Sequence, residues 1–308
     1  MKRMLESNLA WQSKTVLLVV MPIVAAGLVL QAHWWATQSV AVAIWTIGLS
    51  VVLALVVLKL HAATPAGAAA GAAITANLMF STVIFPYTPW QTALPPVLAV
   101  SLLAWIATRL GRLQKERLGT AEKRRGRNAS QVAANLGVAA LVSNELAQSW
   151  LTNSNWFARA TLAPMPMFAV PLAALAEAAA DSVSSEIGQV LGGRPRMLTT
   201  FRQVDPGEDG AISVAGTLAG LAAAGIVAAL GTLAMRGGSA MFWISCAGAA
   251  FGMVFDSLLG ASLERRGWLN NDAVNFLSTA SAAAFALGVM AIVPHAGSGQ
   301  FLEIQLTR

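Results

Sequence analysis

The apolar residues of this chain come in runs of about 20, the length an α-helix needs to cross a hydrocarbon core. The runs recur from Thr15 almost to His295 with little soluble sequence between them. In lipid each backbone polar group must be satisfied inside its own segment, so the pattern predicts an all-α, polytopic membrane bundle. Composition agrees, because 56% of residues are apolar and 11% charged, against roughly 25% charged in a soluble domain. Nine spans are expected near 15–31, 39–59, 64–85, 92–108, 130–149, 160–180, 210–235, 239–262 and 272–294. The first run follows Lys2, Arg3 and Lys14, as in a signal peptide. His33-Trp34-Trp35 then stands where a small-residue cleavage site belongs, so a retained anchor is expected. The expected organisation is an N-terminal anchor over 1–63, a membrane domain over 64–294 and a tail over 295–308.

With the N-terminus in the cytoplasm, nine alternating spans leave all of the 20 Lys and Arg inside except Arg159, Arg236 and Arg308. That is the bias of the positive-inside rule, and it predicts cytoplasmic motif loops in an inner membrane. Trp34, Trp35, Trp90, Trp150 and Trp156 fall in the expected outer loops, as an interfacial aromatic belt would. Gly67/Gly71, Gly216/Gly220 and Gly248/Gly252 are small-residue pairs four apart, which let helix backbones approach closely. The single cysteine, Cys246, excludes an internal disulfide and a cysteine-cluster metal site. His33, His61 and His295 are too far apart in sequence to suggest a zinc or haem centre.

Much of the net charge of +6 sits in one segment, with Arg109, Arg112, Lys115, Arg117, Lys123, Arg124, Arg125 and Arg127 against Glu116 and Glu122. A juxtamembrane basic segment attracts anionic lipid and fixes topology, and no nucleic-acid partner is implied. The alternative is phosphate contact. Gly126-Arg127-Asn128 stands where the next helix begins and offers free backbone N–H groups.

Ionisable groups within or beside spans are costly and mark functional sites. Glu177 and Asp181 are four residues apart on one helical face, which Ser184 and Ser185 continue. Their mutual repulsion would be relieved by a divalent cation, and carboxylates with hydroxyls suit Mg²⁺. A helix cap is the competing role for Asp181, and a first-turn dipole contact for Glu186. The stretch after them carries Gly188, Gly192, Gly193, Arg194, Arg196, Thr199, Thr200 and Arg202, a composition suited to polyphosphate that matches no P-loop or dinucleotide fingerprint. Asp209 and Gly210 follow. Asp256, Gly260, Glu264, Asn271 and Asn275 form another polar face, and Asn128, Gln131 and Asn135 another. These faces open to one side of the bilayer.

At these residues the sequence resembles the membrane family of transmembrane protein 19 and the plant phytyl-phosphate kinase. The motifs are Gly126-Arg127-Asn128 with Gln131 and Asn135, Asp181 through Gly188, Pro206 through Ser213 with Gly216-Thr217, and Asp256 through Gly260. The family is more distantly similar to CTP-dependent polyprenol kinases, whose acidic and glycine-rich loop resembles Asp181 to Gly193. The chain departs from them in having Thr199-Thr200-Phe201-Arg202 where they carry a lysine-serine motif. The resemblance implies transfer of the γ-phosphoryl group of CTP or another nucleotide to an isoprenyl monophosphate. Taken with the residue chemistry above, the expected roles are catalysis for Asp181, Glu186 and Asp256, and Mg²⁺ binding for Asp181, Glu177 and Asp256. Substrate and phosphate contacts are expected of Arg127, Asn128, Asn135, Ser184, Ser185, Gly188, Gly192, Gly193, Arg194, Arg196, Thr199, Thr200, Arg202, Asp209, Gly210 and Asn271. Expected partners are an isoprenoid lipid phosphate, a nucleotide and membrane lipids. A transporter or lipid flippase is the alternative, since polar residues in spans also line permeation paths.

Overall fold

The computed structural model describes residues 9–121, 126–144, 147 and 166–292. Lys123, Arg124, Arg125, Glu122, Trp150, Trp156, Arg159, His295 and the expected tail lie outside the described residues. So do parts of the expected spans 130–149 and 160–180.

Two long apolar helices come first, α1 (Ala10–Gln38) and α2 (Val40–Lys59), separated by Ser39 in extended conformation. Both leave large apolar side chains exposed, among them Leu18, Val29, Ile44 and Leu55, as lipid-facing helices do. Helix α3 (Pro65–Ser81) starts on Thr64, whose hydroxyl accepts from Gly67 N at 3.1 Å, with proline at the first position. Helix α4 (Leu94–Arg109) bends by 65° into the short α5 (Arg112–Leu118). The hinge is Gly111, at φ +63° and pressed on Val190, so a side chain there would be both strained and crowded.

Helix α6 (Ala129–Ser143) opens with a capping box between Asn128 and Gln131. Helix α7 (Ala169–Leu191) forms the axis of the bundle, packed by α4, α6, α8 (Val214–Ala234), α9 (Ser239–Leu259) and α10 (Asn271–Ile292). Every residue from Ala169 to Ala180 is buried. A two-residue antiparallel pair, β1 (Arg196–Met197) with β2 (Ala211–Ile212), closes the loop between α7 and α8. A π-helical turn, Gly260–Glu264, continues α9.

Each expected span contains a helix, and α5 is additional. Among the described residues five helices are long and apolar enough to cross a membrane, or six if α4 and α5 form one bent span. Helices α3 and α6 are 17 and 15 residues long. Helix α7 falls outside that group because it carries Glu177, Asp181 and Glu186. The sixth span is therefore displaced from 160–180 to Ala169–Leu191, and the first part of the expected 181–209 loop is helix. Asp181 lies well inside α7, which removes the cap as its role.

Two of the three small-residue pairs, Gly216/Gly220 and Gly248/Gly252, do what their spacing predicts. A Cβ at Gly216 or Gly220 of α8 would meet the carbonyls of Ser184 and Ala180 of α7 at 2.6 and 2.8 Å. One at Gly248 or Gly252 of α9 would meet those of Ala282 and Ser278 of α10 at 2.7 and 2.9 Å. These approaches draw α8, α9 and α10 onto the polar stretch of α7.

Candidate functional site

The lower part of α7 is where the polar faces converge. Asp181, Ser184, Ser185 and Gly188 line a cavity of about 320 Å³, closed by the 206–213 loop and by α9 and α10. Asp209 and Gly210 come from the loop, Asp256, Ser257 and Glu264 from α9 and its extension, Asn271 and Asn275 from α10. The loop is seated by Gly210, at φ +75°, whose backbone lies directly on Gly260 and Ala261 of the π-helical turn. Arg265 reaches Glu208 at 3.6 Å beside it. Three of the four family motifs thus meet in one cavity.

Glu177 and Asp181 stand one helical turn apart on α7, and Asp256 lies beside both from α9. Glu177 is 1% exposed and neither of its carboxylate oxygens has a hydrogen-bond partner; Asp256 Oδ2 is likewise buried without one. Ser278 of α10 adjoins both carboxylates, yet its hydroxyl donates to Asn275 O at 3.0 Å. Buried acceptors without donors demand a proton or a cation. Among the described residues no group of three or more His, Cys, Asp or Glu is arranged to hold a metal ion. Mg²⁺ commonly takes only one or two carboxylates and completes its shell with water and substrate phosphates. Asp181 and Asp256, with hydroxyls around them and an orphan oxygen between helices, are a donor set of that kind.

Arg127 reaches α7 beside the cavity lining, next to Asp181. Its backbone is stitched to the α2–α3 connection, with Arg127 N donating to Ala62 O at 3.0 Å and Thr64 N to Arg127 O at 2.9 Å. Gly126, at φ +73°, lies against Ala62 and Ala63, and Gly67 lies against the Arg127 carbonyl. Only residues without Cβ fit this crossing. The guanidinium so placed donates to Ser182 Oγ at 3.1 Å and lies close to Asp181. Behind it, buried Asn135 accepts from Asn275 at 3.4 Å, joining α6 to the cavity wall.

Residues 48–283 match the family described as integral membrane protein DUF92. The chain belongs to that family. The match begins within α2 and covers every element of the site. A Methanocaldococcus jannaschii protein, uncharacterized membrane protein MJ0933, is 41% identical over 108 residues, 35% of this chain and 45% of that one. The Synechocystis uncharacterized membrane protein sll0875 is 34% identical over 200 residues, 63% of this chain and 72% of that one. Protein VTE6, chloroplastic, of Arabidopsis thaliana is 29% identical over 194 residues, covering 62% and 56% of the two chains. This chain thus spans about half the length of the archaeal and plant relatives. No solved structure matches it.

Within this family member the other expected site residues separate into two groups. Glu186 does not line the cavity. It pairs with Lys115 of α5 at 2.5 Å and accepts from Thr108 Oγ1 at 3.2 Å. Lys115 is itself 1% exposed and donates to Ala107 O at 2.7 Å, satisfying the end of α4. Sequence reading passed over Lys115 as one more member of the basic run. The clue was available, since α5 is too short to be stable alone and needs a buried contact.

Asn128 spends its side chain on the α6 cap, accepting from Gln131 N at 2.9 Å. Gly192 ends α7 against Ser213. Gly193, Arg194, Arg196, Thr199, Thr200 and Arg202 are carried on the connection that holds β1, outside the cavity lining, with the three arginines exposed. Arg196 donates to Phe201 O at 3.1 Å. The structure therefore gathers Asp181, Ser184, Ser185, Gly188, Asp209, Gly210, Asp256 and Asn271, adds Arg127 and Asn135 at the edge, and leaves the exposed arginines apart.

Proposed function

We propose that the chain is a membrane kinase that transfers the γ-phosphoryl group of CTP or another nucleoside triphosphate to an isoprenyl monophosphate, giving the diphosphate. The observation that carries this reading is the cavity in which Asp181 and Asp256 face each other among serine hydroxyls and glycine backbone. The family's resemblance to phytyl-phosphate and polyprenol kinases supplies the substrate class. An oxygen of the acceptor phosphate forms the new bond to the γ-phosphorus. The bond from that phosphorus to the β,γ-bridging oxygen breaks, and its electron pair leaves on the nucleoside diphosphate. The acceptor oxygen is already anionic near neutral pH, so no side chain has to remove a proton. What the protein must supply is position and charge stabilisation.

Asp181 and Asp256 would hold Mg²⁺, with Glu177 behind them, and the bound ion would neutralise charge developing on the phosphate oxygens. Ser184 and Ser185, whose hydroxyls donate to Asp181 O and Ser182 O within α7, would turn to the nucleotide's phosphates, and Gly188 and Gly210, without side chains, let those phosphates come close to the backbone. Arg127 is placed between them and the acceptor. The basic residues near this end include Lys59, Arg109, Arg112, Lys115, Arg127 and Arg265, whereas Arg236 pairs with Gln91 at 2.9 Å at the other end of α8. By the positive-inside rule the cavity then opens to the cytoplasm.

The test is transfer of labelled γ-phosphate by the purified protein with Mg²⁺, across the four common nucleotides, to phytyl or geranylgeranyl monophosphate. A labelled diphosphate product is expected. Absence of transfer from every nucleotide, or equal use of glycerol phosphate, overturns the assignment.

A further inference from the structure

A second cavity, of about 150 Å³, lies on the far side of Arg127 between α2, α3, α4 and α6. Its walls are small and apolar, with Ala54, Val57, Gly71, Val100 and Ala104. Its mouth is basic, with His61, Arg109, Arg112 and Arg127. Arg109 is held in place by Leu60 O at 2.8 Å and by the Trp105 ring, 4.6 Å away. A guanidinium carries five N–H groups, so these contacts leave donors for a ligand. Trp105 also lines the cavity, and its Nε1–H is buried without an acceptor. An indole N–H can only donate, so it too calls for an oxygen.

We propose that this cavity is the acceptor site, with the phosphate of an isoprenyl monophosphate in the basic mouth and its first isoprenoid unit inside. The proposal rests on the kinase reading and deepens it. Arg127 belongs to this mouth and also touches Ser182 and approaches Asp181, so a phosphate held here borders the carboxylate cavity. An apolar cavity of this size takes a benzene-sized group, roughly six carbons. One isoprenoid unit fills it. Helices α2 and α4 barely touch, and they expose Val56, Leu60, Leu102 and Ile106 beside the cavity. The remaining tail then lies in lipid along them, and the site reads the head of the molecule while tolerating different chain lengths.

The test uses a geranyl monophosphate analogue carrying a diazirine on its first isoprenoid unit, with the full chain in vesicles. Parental protein should be labelled on α2, α3, α4 or α6. Geranylgeranyl monophosphate should block the labelling, and neither phosphatidate nor inorganic phosphate should. A Cβ at Gly71 would meet only Val132, at 3.8 Å, so Gly71→Leu should extend into the cavity. It should raise the acceptor KM about tenfold or more, the weight of a misfit methylene or two in an apolar pocket, while thermal stabilisation by Mg-nucleotide stays unchanged. Trp105→Phe, which removes the N–H at similar shape, should weaken labelling about fivefold, and serves if the leucine variant does not fold. Labelling elsewhere, an unchanged KM in a folded Gly71→Leu variant, or equal competition by phosphatidate overturns the proposal. Cross-linking needs no turnover, so the two readings fail separately. A parent labelled here that transfers nothing refutes the kinase and keeps the site. One that transfers but is labelled elsewhere refutes the site alone.

Discussion

The carboxylate cavity and the basic-mouthed cavity lie on either side of Arg127, and they are made of opposite materials by helices of opposite kind. The first is cut into α7, a helix enclosed by α4, α6, α8, α9 and α10, so it can carry Glu177 and Asp181 without showing them to lipid. The second lies between α2 and α4, whose outer faces are exposed and apolar. Enclosure allows charge deep in the bundle; exposure allows a hydrocarbon tail to arrive from the side. A reaction between a water-soluble nucleotide and a lipid phosphate needs both conditions within one side chain's reach.

The largest way to break that contrast is to remove one carboxylate charge. Asp181→Asn and Asp256→Asn should each lower phosphoryl transfer about a thousandfold, roughly 4 kcal/mol in barrier, and abolish stabilisation by Mg-nucleotide. Melting temperature without ligand should hold or rise, because Asp181 caps no helix and the substitution relieves repulsion among Glu177, Asp181 and Asp256. Labelling of the acceptor cavity should persist. A variant keeping more than about a tenth of parental transfer would remove that aspartate as an essential ligand.

A smaller effect is expected where the two regions are braced together. Lys115 on the bend below Arg112 pairs with Glu186 on α7, so the ion pair fixes the basic mouth against the acidic helix. Lys115→Met leaves Glu186 uncompensated and should cost about 3 kcal/mol. The double change Lys115→Met with Glu186→Met should recover much of that loss, since a buried ion pair is worth little more than well-packed apolar residues. Thermal unfolding of the purified proteins measures both. Full recovery of stability together with parental activity would show that Glu186 is a brace. Loss of transfer in a stable double variant would instead return Glu186 to the chemistry.

Much of this was legible in the sequence, and the exceptions have physical reasons. Run lengths gave the helical class and nearly all boundaries because α1, α2, α8 and α9 meet lipid, and lipid demands apolar sides. Helix α7 was misplaced because hydropathy describes a helix seen by lipid, and α7 is buried among other helices from Ala169 to Ala180. Its carboxylates looked like the start of a loop. Motifs alone singled out Asp181, Asp256, Asp209 and Gly210, which the fold brings to one cavity. The crossing of Gly126 and Arg127 over Ala62 and Ala63 joins segments distant in sequence, and no local pattern predicts such a bridge. Lys115 was hidden for the converse reason: among so many basic neighbours, nothing local distinguishes the one that is buried.

The smallest effect is expected at Arg194, Arg196 and Arg202, where composition and position disagree. Arginines interleaved with glycines and threonines suit a polyphosphate, and on that ground they were expected to contact the nucleotide. In the folded chain all three are exposed and lie outside the cavity lining, one of them already donating to Phe201 O. Exposed side chains without such a contact contribute within about 0.5 kcal/mol when replaced. The triple change to alanine should therefore alter the nucleotide KM by less than about threefold and leave the melting temperature unchanged. A guanidinium that gripped phosphate would cost more, about 1.5–3 kcal/mol for each charged hydrogen bond lost. A rise in nucleotide KM of tenfold or more, with kcat and melting temperature unaltered, would mean that the connection carrying β1 closes over the bound nucleotide. The carboxylate cavity would then be the lower half of a larger site, and the contrast with the acceptor cavity, already walled on four sides by helices, would become one between a site that closes and a site already formed.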